Sequence, residues 1–296
     1  MRNPPLTTRP RIPGDVAGAA GTPATEGTAG PRRRSPGFPG RRPGLGGGAL
    51  PPLVAVAHGS RDPRAAATVE ALLAHVRLAR PGLDVRAAYL DHTRPALGEA
   101  LSGLDEAVVL PLLLTEAYHS KVDIPAALAE VRRARPRLRV HQGATLGPHP
   151  LLVAALERRL SEAGVRVGDP GTAVVLAAAG SSDPRANTII ARTATAWANA
   201  RGWHSVTAAY ASAASPTPQQ AVRGLLGRRR PPRRVVVAPY LLAAGLFAEK
   251  IHREALAAGA HAVADPLGPA PELAEVLLDR YAGVVRPDAC RRLLPS

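Results

Sequence analysis

The sequence predicts an α/β protein built from two tandem, similar α/β/α units, each holding a parallel four-stranded sheet. Three observations carry this. From Leu53 onward, short apolar runs of strand length alternate with longer Ala/Leu/Arg segments of helical period. Most of the runs are apolar on both faces, as strands covered by helices on each side must be. The third is internal. Val54-Ala55-Val56-Ala57-His58-Gly59-Ser60-Arg61-Asp62-Pro63-Arg64 recurs 121 residues later as Val175-Leu176-Ala177-Ala178-Ala179-Gly180-Ser181-Ser182-Asp183-Pro184-Arg185. The same offset carries Ala87-Ala88-Tyr89 onto Ala208-Ala209-Tyr210 and Leu146-Gly147-Pro148 onto Leu267-Gly268-Pro269. A seven-residue insertion around Arg228–Arg234 shifts Pro111-Leu112-Leu113-Leu114 onto Pro239-Tyr240-Leu241-Leu242. A unit of about 120 residues, the size of a small domain, has been duplicated.

The elements follow in order. Strands are expected at 53–57, 84–89, 107–111 and 138–142, then at 172–177, 205–209, 234–238 and 260–264. Helices are expected at 64–80, 95–102, 121–134 and 149–163, then at 185–201, 216–226, 247–258 and 271–281. Asp62-Pro63 and Asp183-Pro184 fall where a strand gives way to a helix. Asp caps the open amides of a first turn, and Pro suits the first helical position because it has no amide hydrogen to satisfy. The Gly-Ser before each pair permits a tight turn, and such a turn could also cradle an anion. The domain organisation is thus a tail over 1–50, a first repeat over 51–165 and a second over 170–285.

Residues 1–50 are rich in Pro, Gly, Thr and Arg and bury too little to offset their ordering entropy, so they are expected to be disordered. The chain carries a formal charge of +15, with eight arginines in that tail against Asp15 and Glu26. Such a field attracts polyanions of any sort: nucleic acid, acidic membrane or a polycarboxylate. Aromatics make up only 3% of the residues and no nucleic-acid-binding motif is present, which argues against nucleic acid as the partner. Cys290 is the only cysteine, which excludes internal disulfides, Cys-based zinc sites and iron–sulfur clusters. No signal-peptide core or membrane-length apolar run is seen, so a cytoplasmic protein with no membrane partner is expected.

Comparison of the copies separates scaffold from chemistry. Gly, Ser, Asp and Pro of the first turn persist, whereas His58 becomes Ala179, His119 becomes Phe247 and His149 becomes Ala270. His58 follows the first strand and His119 the third, so both belong to the carboxyl edge of a parallel sheet, where ligands bind. Neutral imidazole ligates a divalent first-row metal or accepts a proton near neutral pH. Two histidines without a third fixed ligand suit a metal in transit better than a structural one. Glu116, three residues before His119, is a candidate carboxylate ligand or proton acceptor, with a solvated loop role as the alternative.

These residues resemble a known family. His58-Gly59-Ser60-Arg61 after an apolar strand, with Pro111-Leu112-Leu113-Leu114-Thr115-Glu116-Ala117-Tyr118-His119-Ser120-Lys121-Val122-Asp123-Ile124-Pro125, is similar to the sirohydrochlorin chelatases, the class II chelatases. The likeness spans residues 53–281 and matches the long form, with both units in one chain. It implies a chelatase-like fold whose halves face each other across a central cleft holding the tetrapyrrole. It implies insertion of Co²⁺ or Fe²⁺ into sirohydrochlorin, for cobalamin or sirohaem, with no permanently bound cofactor and the metal as substrate. His58 and His119 correspond to the family's active-site histidines, in one active half. His149 also sits in a recurring family segment but is given no catalytic part. Sirohydrochlorin is a polycarboxylate, so a net-positive cleft is expected, with Ser60, Arg61, Arg64 and Lys121 as candidate substrate contacts. A two-repeat monomer is expected. The competing readings are a tetrapyrrole or metal carrier without turnover, and a chelatase for another metal such as nickel.

Overall fold

The computed structural model describes residues 50–115 and 122–291. The expectation of a disordered tail, and the roles assigned to Glu116, His119 and Lys121, fall outside the described residues.

The first repeat runs β1 (Leu53–Ala57), α1 (Pro63–Ala79), β2 (Val85–Tyr89), α2 (Leu97–Ala100), β3 (Glu106–Pro111), α3 (Ile124–Ala134), β4 (Arg139–Gln142) and α4 (Pro150–Glu162). The second runs β5 (Thr172–Ala178), α5 (Pro184–Arg201), β6 (Ser205–Tyr210), α6 (Pro218–Leu226), β7 (Arg234–Tyr240), α7 (Leu246–Ala257), β8 (Ala262–Val263) and α8 (Pro271–Arg291). The sheets are ordered β2-β1-β3-β4 and β6-β5-β7-β8, and every pairing is parallel.

The continuous apolar runs are explained by layering. Alternate residues of β1 enter two cores: Leu53, Ala55 and Ala57 one, Val54 and Val56 the other. The outer core lies under α2 and α3, and β5 repeats the division with α6 and α7 outside. The inner core is shared. It joins Leu72 and Leu73 of α1, Leu152 and Leu156 of α4, Ile190 and Trp197 of α5, and Leu273 and Leu277 of α8. Four helices are thus sandwiched between the two sheets.

Within that middle layer the repeats exchange their last helices. Helix α4, which closes the first repeat in sequence, packs on β7, while α8 packs on α1 and β3. The exchange is bonded as well as packed. Glu157 of α4 accepts from Trp197 Nε1 at 2.9 Å and from Arg201 Nε at 2.7 Å. Arg158 meets Glu272 of α8 at 3.1 Å. Arg280 of α8 donates to the carbonyls of Thr145 and Leu146 at 2.9 and 3.1 Å.

Three elements depart from expectation. Helix α2 is shorter because the chain before it closes onto β2, where Tyr89 donates to the Pro95 carbonyl at 3.0 Å. Strand β8 has two residues, an edge strand paired with β7 alone, and is shorter than the other edge strands. Helix α8 continues past 281 because Val284 and Val285 still find apolar cover on the inner core.

The predicted caps are present. Asp62 accepts from the Arg64 amide and Asp183 from the Arg185 amide, each at 2.9 Å, with Pro next in each helix. Asp183→Ala is expected to cost about 1 kcal/mol. Thermal unfolding should show a Tm lowered by a few degrees with the insertion activity proposed below retained.

Candidate active site

Both sheets turn their carboxyl edges toward one cavity of about 450 Å³. This lies within the range of small-molecule sites. The first half contributes His58 and the run Leu112–Thr115, and the second contributes Ala179, Ser181, Asn187, Tyr240 and Phe247 among others.

His58 is exposed on the cavity wall and is placed by its backbone. Its carbonyl accepts from the Asp91 amide at 2.9 Å, extending the β1–β2 ladder past the end of the strand. The next residue, Gly59, has φ +95°, and a Cβ there would sit 1.7 Å from the Asp91 carbonyl oxygen. Only glycine both adopts that conformation freely and allows that approach. The second copy repeats the turn: the Ala179 carbonyl accepts from Ser212 at 2.9 Å, and Gly180 has φ +87°.

The serine of the turn serves the turn. Ser60 Oγ accepts from the Asp62 amide at 3.1 Å, and Ser181 Oγ from the Asp183 amide at 3.0 Å. The serine backbone is clamped in both halves, but from different places. Thr93 bridges the N–H and C=O of Ser60 at 3.3 and 3.0 Å, whereas Asn187 bridges those of Ser181 at 3.0 and 2.7 Å. Thr93 lies after β2 and Asn187 lies on α5, so the clamp moved between elements while its bonds were kept. Neither residue is matched at its repeat position (Ala214 and Ala66), which hid the clamp from sequence comparison.

Among the described residues, no Arg or Lys lines the cavity, whose walls are mainly aliphatic and aromatic. Arg64 is an exposed residue engaged by two carboxylates, Asp62 on its own helix turn and Glu249 on α7 across the halves. Arg61 is exposed on the surface turn. The Arg228–Arg234 insertion lies before β7, at the amino edge of the sheet. A seven-residue strand spans roughly 20 Å, so this basic loop is remote from the cavity.

The halves also meet inside the cavity. Tyr240 of β7 donates from its hydroxyl to the Leu114 carbonyl at 3.3 Å, and burial pushes the phenol well above its ordinary range. Gly147 closes this contact, since a Cβ there would lie 2.1 Å from the Leu114 oxygen and 2.6 Å from the Tyr240 hydroxyl. Tyr240 and Phe247 are wall residues that histidine counting passes over. The available signal for Phe247 was its place at the repeat position of His119.

His149, the third histidine lost in the second repeat, lies elsewhere. It is the N-cap of α4 and accepts from the Leu151 amide at Nδ1, 3.2 Å. Burial, and then the nearby Arg280 charge, hold its pKa below the usual histidine value, partly offset by Asp279. A depressed folded-state pKa stabilises the fold above the ordinary value near 6.5, and that contribution is lost as pH falls below it. His149→Asn, which keeps a capping acceptor, should therefore flatten the decline of Tm between about pH 7 and 5. Insertion activity should be unchanged.

Fold and cleft define a duplicated α/β protein of the chelatase class. The CbiX family model matches it twice, over residues 52–163 and 173–284, and the chain belongs to that family. It is similar to a sirohydrochlorin cobaltochelatase of Priestia megaterium, with 27% identity over 214 residues, 70% of this chain and 69% of the relative. A sirohydrochlorin ferrochelatase of the same organism is 28% identical over 207 residues, 67% of this chain and 76% of the relative. Among solved structures, SirB from Bacillus subtilis with Fe³⁺ superposes with a TM-score of 0.69 at 25% identity, covering 80% of this chain and 96% of that one.

Proposed function

We propose that this protein is a lyase-type chelatase that inserts Co²⁺ or Fe²⁺ into sirohydrochlorin, in cobalamin or sirohaem biosynthesis. The observation that carries the reading is a duplicated fold of this family in which one wall of the cavity bears His58 and the equivalent point on the other wall is Ala179.

Insertion takes one divalent cation and releases two pyrrole protons. Imidazole of His58 suits both needs, holding the cation weakly and accepting a proton as the cation leaves. His119 is the proposed partner by its motif, with Glu116 as a further ligand or proton acceptor. Both metals are substrates, and no resident cofactor is proposed. The aliphatic wall covers the macrocycle face, which leaves the carboxylates at the rim, where Arg61 and Lys121 are the proposed contacts. Because one chain supplies both walls, a monomer is proposed. No helix among the described residues is long and apolar enough to cross a membrane, and a cytoplasmic location is proposed.

The test is the visible spectrum of sirohydrochlorin on addition of Co²⁺ or Fe²⁺, with the purified protein, without it, and with His119→Ala. The protein should accelerate conversion, and His119→Ala should remove the acceleration while macrocycle binding remains. Binding without acceleration by the unsubstituted protein would instead make it a tetrapyrrole carrier.

A further inference from the structure

The second repeat lacks histidine at the positions of His58, His119 and His149, yet it keeps its place at the cavity. It supplies more of the described wall than the first, through Ala178–Ser181, Ala186, Asn187, Ile190, Ser212, Tyr240–Leu242 and Phe247. Two exchanges define the change. Where the first repeat has His58, the second has Ala179, which removes a metal ligand and opens space. Where the first has His119, the second has Phe247, which substitutes a ring with no lone pair for one that binds metal.

Phe247 is unusual for this chain. Only two phenylalanines occur in 296 residues, and aromatics total 3%. Most large apolar side chains are buried, yet Phe247 is 45% exposed and lies on the same cavity as His58. Leu246, immediately before it, is 86% exposed. Both stand at the first turn of α7, beside the Arg64–Glu249 pair that ties this helix to the first half. Covering the exposed part of the ring with an apolar ligand face would remove that area from water, a favourable contribution to binding.

We infer that Phe247 is a macrocycle-binding residue: its ring offers a stacking face to the planar tetrapyrrole, so that the second repeat docks the macrocycle while the first handles the metal. This rests on the proposed sirohydrochlorin reading and adds the residue that holds the substrate's face. A conjugated macrocycle has apolar, polarizable faces and a charged rim. An aromatic ring stacks on such a face, and the aliphatic run Leu241–Leu242 extends the same surface.

Phe247→Ala, Phe247→Leu and Phe247→Trp would be compared with the unsubstituted full-length chain. Metal-free sirohydrochlorin binding would be followed by absorbance, Co²⁺ binding by titration without macrocycle, and insertion by steady-state kinetics. Stacking on one aromatic face predicts a Kd and KM for sirohydrochlorin raised about tenfold in Phe247→Ala. Phe247→Trp should bind as the unsubstituted chain does, and Phe247→Leu, which keeps apolar bulk without a ring, should fall between. Co²⁺ affinity should be unchanged and kcat at saturating macrocycle should stay within about twofold, a split that general destabilisation would not produce.

Equal macrocycle affinity in Phe247→Leu and the unsubstituted chain would overturn the stacking role. So would weakened Co²⁺ binding in Phe247→Ala, or a change in sedimentation that marks the ring as a contact between copies. If the unsubstituted chain binds no sirohydrochlorin, the proposed function itself falls, which is distinguishable from a chain that binds but is indifferent to Phe247.

Discussion

Replacing His58 by alanine is expected to lower the rate of metal insertion by about 10²- to 10⁴-fold, the usual contribution of a positioned proton-transfer group. Sirohydrochlorin affinity should hardly change. The reason is geometric. His58 is the histidine of the described cavity wall, held at the end of β1 by the Asp91 amide, and the matching point of the second wall is already Ala179. The substitution makes the two walls alike at this point and leaves no imidazole among the cavity's described residues. Stability should be spared, because the side chain is exposed and the turn is held by backbone bonds and by Gly59. Insertion kinetics beside a macrocycle titration would check this. A variant that inserts metal at the unsubstituted rate would remove His58 from the mechanism.

The second large effect concerns a backbone rather than a side chain. Gly59→Ala and Gly180→Ala place a methyl 1.7 Å from the Asp91 oxygen and 2.0 Å from the Ser212 oxygen, each at positive φ. Each should destabilise the fold by about 2–3 kcal/mol, since neither backbone neighbour can yield without breaking the adjoining ladder. Their functional consequences should differ. Shifting the first turn moves His58, so Gly59→Ala should lose insertion activity well beyond its loss of folded protein. Shifting the second moves Ala179, so Gly180→Ala should retain most of its insertion rate per folded molecule. Equal activity losses at equal stability would mean that the placement of His58 is not what the turn controls.

Strand and helix order is legible in side-chain periodicity, because a doubly covered parallel strand reads as an unbroken apolar run and a helix between sheets reads as Ala/Leu stripes. The repeat is legible too, and with it the asymmetry of His58 against Ala179. The clamps are not. Thr93 and Asn187 perform the same task from non-equivalent positions, so aligning the copies sets each against an alanine. The setting of Arg64 is likewise not legible in the sequence. Net charge counts Arg64 as a free cation, whereas the fold sets it between Asp62 and Glu249, the latter 185 residues away.

By itself the sequence determined two α/β units of one design, the tight Gly-Ser turn and Asp-Pro helix start of each, and the presence of His58, His119 and His149 without histidine counterparts in the second copy. These are local properties, set by side-chain period, capping and backbone conformation within a few residues. The tertiary structure alone decided that α4 and α8 change sides, that both sheets share one inner core, and that Tyr240 and Phe247 of the second half line the cavity beside His58. Such pairings join residues 70 or more positions apart. Burial of apolar helix faces rewards whichever sheet covers them best, and it carries no preference for the helix's own repeat.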